Sequence, residues 1–244
     1  MDKKLFESNY ATHIDGLHQH FSADAAMRAA VGTDFDANGI LERELLRVAG
    51  LRPEHYLIDV GCGSGRLAVK LKDWLTGRYL GIDINDDLLA YAAAAAAARK
   101  DWRFELGDGF SIQEADGAAD MICFFSVFTH LLHEHSYVYL QDAKRVLRPG
   151  GRIVFSFIDF SSPHLWQIFE GNIRDLGKPV PLNMFMSREM FPIWAKHLDM
   201  RIIELVESTT PFIPLEAPVT YDDGRTVDGC TWFGQSLCIL EKSD

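Results

Sequence analysis

The chain has 244 residues, with 24 Lys and Arg against 35 Asp and Glu, a formal net charge of −11. Phosphate backbones are held by concentrated basic surface, so this balance argues against a nucleic-acid partner, and no Lys/Arg cluster offsets it. The 48% hydrophobic fraction suits one large α/β domain, and no uninterrupted apolar segment reaches membrane-spanning length.

The opening Met-Asp-Lys-Lys-Leu-Phe-Glu lacks the apolar stretch of a signal peptide. Cys62, Cys123, Cys230 and Cys238 form no CxxC pair and read as reduced thiols, which together point to a cytoplasmic protein. Residues 1–37 are polar to mixed and read as an N-terminal cap, with 38–244 as the main domain. Apolar positions from Ile40 to Val48 predict a helix that Gly50 stops. Strand and helix then alternate. Tyr56–Val60 is a strand, Leu67 to Leu75 has helical spacing up to Gly77, and Tyr79–Ile82 is a second strand. Asn85 caps a third helix, with Asp86 and Asp87 in its positive first turn. The alanines from Ala92 to Ala98 read as strong helix formers that pack closely on a sheet.

Trp102–Leu106 and Met121–Val127 are further strands, and Ser136–Leu147 is a helix closed by Pro149-Gly150-Gly151. Arg152–Ile158 is the fifth strand, Ser187–Leu198 a helix, and Met200–Val206 and Ser236–Glu241 the last strands. The alternation implies a doubly wound, mostly parallel sheet. Residues 161–199 and 207–230 interrupt it.

The most informative segment is Asp59-Val60-Gly61-Cys62-Gly63-Ser64-Gly65-Arg66. A buried strand runs into glycines at alternate positions and then a helix, a geometry that brings a ligand against bare backbone at free N–H groups. A dinucleotide fingerprint needs glycine where Arg66 stands, and the Lys-Ser/Thr of a Walker loop is absent. Asp59 supplies a carboxylate beside the turn. Asp83 ends the second strand, where two oxygens suit the two hydroxyls of a ribose. Asp108, in Gly107-Asp108-Gly109-Phe110, ends the third and suits an adenine amino group, with Ile84 or Phe110 against the ring.

Together, Asp59–Arg66, Asp83, Asp108 and Leu147-Arg148-Pro149-Gly150-Gly151 resemble the motifs of class I S-adenosylmethionine-dependent methyltransferases, over roughly residues 40–160. The resemblance implies a seven-stranded Rossmann-like sheet with an antiparallel last strand, S-adenosylmethionine as cofactor and S-adenosylhomocysteine as product. It puts Gly61, Gly63 and Gly65 beside the methionyl part, Asp59 near its ammonium, and Asp83 on the ribose. Asp108, Gly109, Phe110 and Ile84 fall to the adenine, and Phe125 and Ser126 to the methyl donor. Substrate specificity in this family usually lies in segments such as 161–199 and 207–230.

Methyl transfer to a hydroxyl needs a base, and His130, just after the fourth strand, is the first choice. His133 and His135 read as solvent-facing or at the start of a helix, and the spacing of the three matches no standard closed metal site. Tyr137, Trp166 and Trp232 read as packing residues before substrate contacts. Phe124-Phe125-Ser126-Val127 replaces the Asn-Pro-Pro-Tyr motif of nucleobase-amine methyltransferases. The acidic charge agrees, so the expected acceptor is a small molecule, with oxygen preferred over nitrogen or carbon. Two other readings stay open: a nicotinamide-dependent oxidoreductase, and a protein that binds the cofactor without chemistry. The sequence also leaves open whether the cap mediates a homodimer.

Overall fold

A computed structural model describes residues 16, 17, 19–96, 99–178 and 183–243. Residues 1–15 and 18 of the predicted cap and Ala97–Ala98 of the alanine run lie outside the described residues.

The first described helices are α1 (Ala23–Ala29) and α2 (Phe35–Val48), followed by β1 (Leu57–Val60), α3 (Arg66–Leu71), β2 (Tyr79–Asp83), α4 (Asp86–Ala95) and β3 (Arg103–Leu106). Then come β4 (Ala119–Phe124), α5 (His133–Val146), β5 (Leu147–Asp159), α6 (Trp166–Arg174), β6 (Phe185–Met186), α7 (Met190–His197) and β7 (Met200–Val206). Short strands β8 (Ile213–Pro214), β9 (Val219–Thr220), β10 (Thr226–Val227) and β11 (Cys230–Thr231) precede β12 (Ser236–Lys242).

The main sheet runs β3-β2-β1-β4-β5-β12-β7, with β6 added beside β5. The strands from β3 to β5 are parallel, and β12 is antiparallel to both neighbours. This is the predicted doubly wound sheet with its reversed last strand, and β6 makes an eighth member. Side chains alternate along each strand, so the sheet feeds two cores. Ile58 and Val60 point to a core shared with Leu140 and Phe191 of α5 and α7. Leu57 points to one shared with Leu41 and Leu45 of α2 and Leu67 of α3. Full burial of an aliphatic side chain contributes about 1.5–3 kcal/mol, so these two layers dominate the stability.

Local chemistry explains the element ends. Asn85 accepts from the Leu88 amide at 3.0 Å, the predicted cap of α4. The predicted fourth strand stops short of Val127 because Ser126 adopts a left-handed φ of 59° and turns the chain. The fifth strand starts earlier than predicted: α5 ends at Val146, and Leu147 is already extended, with ψ 139°. Pro149 disfavours helical geometry at Arg148, and a bulge between Ala119 and Met121 absorbs the mismatch. The helix predicted from Ile40 begins instead at Phe35, a buried residue that follows left-handed Asp34. The 207–230 segment folds back as two stacked hairpin ladders, β8 with β11 and β9 with β10. Asp34 and Asp222 at its tip each accept the other's backbone amide, at 2.8 and 3.0 Å. No helix among the described residues is long and apolar enough to cross a membrane.

Gly65 tests the packing of α3 on α4. It has φ +80°, and an added Cβ would lie 2.8 Å from that of Ala92. Gly65→Ala should lower unfolding stability by about 2–4 kcal/mol through strain and overpacking. Gly109, at φ +87° but facing open space, should lose about 1 kcal/mol as alanine. Urea denaturation of both variants measures the difference, and equal losses would mean that the α3–α4 contact is slack.

Candidate active site

The turn after β1 sets the site. Gly61 and Gly63 hold left-handed φ values of 75° and 53°. An added Cβ at Gly61 would lie 2.3 Å from Val127, and one at Gly63 would lie 2.3 Å from Val31. The loop is therefore bare backbone pressed between the segment after β4 and the segment before α2. The Gly63 amide donates to the Asp83 carboxylate at 2.9 Å, and the Asn85 amide donates to its other oxygen at 3.0 Å.

Asp59 is 3% exposed. It accepts from the Tyr79 hydroxyl at 2.7 Å and the Cys123 thiol at 3.5 Å. Burial pushes its carboxyl up to about 7, against the pull of the Tyr79 bond, and the nearby Glu42 adds to the rise. Glu42 is itself raised by burial despite its pair with Arg66, whose Nε donates at 2.7 Å. Arg66 also donates to the Val31 carbonyl at 2.9 Å, tying the chain before α2 to α3. Burial likewise raises Asp83, while the amides of Gly63 and Asn85 lower it.

These groups line one cavity of about 530 Å³ at the carboxyl edge of the sheet. Of the residues predicted from sequence, Asp59, Gly61, Gly63, Asp83, Ile84, Gly109, Phe110, Phe125, Ser126 and His130 all line it. Gly65 and Asp108 do not. Gly65 faces α4. The Asp108 carboxylate turns into its own loop, where it accepts from the amides of Phe110 and Ser111 at 2.8 and 2.7 Å. It therefore shapes the loop that presents Gly109 and Phe110.

The left-handed Ser126 is held from three sides. Its amide donates to Ser156 Oγ at 2.8 Å, its carbonyl accepts from Thr129 Oγ1 at 2.6 Å, and its hydroxyl accepts from the Gln235 amide at 3.1 Å. Strain at such a residue persists where its surroundings over-determine it.

The three neighbouring histidines separate. His130 lines the cavity, His133 Nε2 lies 3.0 Å from the Phe185 carbonyl, and His135 sits edge-on to Phe110, with ring centroids 5.1 Å apart. Among the described residues no group of His, Cys, Asp and Glu is arranged to hold a metal. Tyr137 packs on Trp194 and Trp166 on Phe169, with Trp166 and Trp232 45% and 49% exposed.

Sequence reasoning missed Glu42, Arg66 and His135 on the cavity wall, and also Asn183 and Gln235. A signal existed for the first pair. Glu42 adjoins Leu41 on a buried helix face, and a charge there asks for a partner. Asn183 and Gln235 reach the cavity through the path of the chain, which no local pattern encodes.

A family profile described as "Methyltransferase domain" matches residues 57–151. Malonyl-[acyl-carrier protein] O-methyltransferase of Serratia marcescens is 30% identical over 181 residues, 71% of this chain and 68% of that one. The 27-O-demethylrifamycin SV methyltransferase of Amycolatopsis mediterranei is 30% identical over 55% of this chain and 51% of its own. The chain spans about half the length of the first curated relatives it matches, between 43% and 58%. In structure, the chain is similar to a SAM-dependent methyltransferase from Aquifex aeolicus, with a TM-score of 0.56 and 15% identity, covering 93% of this chain and 97% of that one. At that identity the likeness speaks for the fold.

The Asp59 shift sets a pH dependence of stability. A carboxyl raised from 3.8 to about 7 binds its proton more tightly when folded, so its contribution to stability is full below about pH 4. It is lost as pH rises to about 7. Relative to Asp59→Asn, the unliganded wild type should lose on the order of 2–4 kcal/mol across that window and nothing further above it. Urea titrations at stepped pH measure this, and a constant difference would mean that Asp59 is ionised throughout.

Proposed function

Because the chain belongs to the class I S-adenosylmethionine-dependent methyltransferases, we propose that it transfers the methyl group of that cofactor to a hydroxyl of a small-molecule acceptor. The observation that carries this reading is that His130 shares one cavity with Asp59, Asp83 and Ser126. The names of the two curated relatives above, one an O-methyltransferase and the other built on an O-demethyl compound, favour oxygen. The net charge of −11 favours a small acceptor over nucleic acid.

The residues present fit the cofactor. Each Asp83 oxygen accepts one backbone amide, which leaves lone pairs for two ribose hydroxyls. Ile84, Gly109 and Phe110 flank the adenine, and Asp108 holds their loop in shape. Gly61 and Gly63 admit the methionyl part, Gly65 seats α3 behind them, and Asp59 meets the ammonium. Phe125 and Ser126 border the sulfonium. Bound there, S-adenosylmethionine supplies a methyl group on a good leaving group. The protein's remaining work is alignment, and His130 takes the acceptor's proton. Ile168 and Asn183 line the cavity, which supports 161–199 as the substrate-side insertion. The 207–230 segment packs instead along α2.

Calorimetric titration with S-adenosylhomocysteine, followed by an acceptor screen read by product release, tests the proposal. Asp83→Ala should weaken binding about 100-fold or more, the scale of two lost charge-assisted hydrogen bonds; unchanged affinity would remove it from the ribose. His130→Gln should leave that affinity unchanged and slow transfer by about 10²–10⁴-fold; full activity would remove it as the base. An ammonium beside Asp59 draws it back to the ionised form. Below pH 7, cofactor binding should therefore release up to about one proton, and Asp59→Asn should release none. Calorimetry in buffers of different ionisation enthalpy counts that proton, and equal counts for the two proteins would place the ammonium elsewhere.

A further inference from the structure

The cavity divides its charges unevenly. Glu42, Asp59, Arg66 and Asp83 all belong to the side of β1 and β2. On the side of β4, β5 and β12 the described lining includes His130, Leu131, Ile158, Ile168, Asn183 and Gln235. No Lys, Arg, Asp or Glu is among the described residues there. Ile158 and Ile168 belong to a small apolar cluster with Leu165, Phe169 and Phe185. Asn183 is fixed by a two-way bond with Asn172, whose side chain accepts its amide at 3.0 Å and donates to its carbonyl at 2.6 Å. The charges close behind this wall are committed elsewhere: Arg188 pairs with Asp159 at 2.9 Å and with Glu207 at 2.6 Å, and none of the three lines the cavity.

An acceptor that brought a carboxylate or phosphate to this wall would shed its water and find no cation. It would also face a cavity with three acids to one arginine. An ammonium would meet no carboxylate in contact and would share the space with a sulfonium. We propose, on the methyl-transfer reading above, that the site takes an electrically neutral acceptor. Its apolar skeleton lies against Ile158 and Ile168, and its reacting hydroxyl lies at His130. In the transfer an oxygen lone pair forms the O–CH₃ bond, the C–S bond breaks with its electron pair going to sulfur, and the hydroxyl proton passes to His130. The neutral amides of Asn183 and Gln235 offer hydrogen bonds to further hydroxyl or carbonyl groups without selecting a charge.

The test uses the full chain saturated with S-adenosylhomocysteine. The probes are phenol, naphthol and cyclohexanol skeletons, each carrying a propyl, a propionate or an aminopropyl tail. Binding is measured by calorimetry and by ligand-observed NMR. Neutral probes should bind at least tenfold more tightly than either charged partner on the same skeleton. Ile168→Lys, at a half-buried helix position, should weaken the propyl probes and strengthen the propionate probes by about tenfold, with S-adenosylhomocysteine affinity unchanged. Charged probes that equal or exceed the neutral ones overturn the proposal, as does a neutral set that fails to bind or is insensitive to Ile168→Lys. Failure of S-adenosylhomocysteine itself to bind would instead overturn the methyltransferase reading.

Discussion

The bond from the Gly63 amide to Asp83 holds the site together. It joins the turn after β1 to the end of β2 at 2.9 Å, and the geometry around it follows. Gly63 must be left-handed to direct its amide there, and it must lack a side chain because Val31 occupies that space. The other Asp83 oxygen accepts the Asn85 amide, and the Asn85 side chain in turn caps α4. One carboxylate therefore fixes a loop, a strand end and a helix start. It does so with amides on its inner side, leaving its remaining lone pairs for the cavity. Such preorganisation lets a polar site bind without rearranging at the moment of contact.

Ser126 plays the corresponding part on the other side of β1. Its strained backbone is secured by side chains from β5, from the turn at Thr129 and from the approach to β12. Those three elements also carry Ile158, His130 and Gln235 to the cavity. The reversed last strand matters for the same reason. Because β12 runs antiparallel to β5, it starts at the carboxyl edge of the parallel strands and delivers Gln235 to the site. A parallel strand in that place would deliver its final residue there instead.

The parts legible from sequence are those in which a local pattern and its structural use coincide. The alternation of apolar runs and turns gave the sheet, and the asparagine cap of α4 was readable because its bond spans three residues. The glycine loop was readable because close approach demands glycine in any context. Asp108 shows the limit. A strand-end acid looks the same in sequence whether or not it lines a cavity, and here Asp108 bonds the amides of Phe110 and Ser111 and is not part of the lining. The start of β5 was hidden by Pro149-Gly150-Gly151, a stop signal that the sheet accommodates with a bulge. Asn183 and Gln235 come from segments whose placement depends on the β6 pairing and on the return of the hairpin arm, both long-range contacts.

The charges that line the site favour a cationic ligand. Burial raises Glu42, Asp59 and Asp83 together, and Arg66 is the one Lys or Arg among the described lining residues. A folded protein does not hold two buried carboxylates and a half-buried third near one guanidinium without cost. Tyr79 and Cys123 soften that cost at Asp59, as backbone amides do at Asp83, but none of them supplies a positive charge. A ligand with an ammonium and a sulfonium supplies two, at the price of one carboxylate. The free energy withheld from folding is returned on binding, so cofactor affinity and apo-protein instability have a common origin in the same carboxylates. The uncharged wall by Ile158 and Ile168 has no such imbalance, and it leaves selection of the acceptor to shape and desolvation.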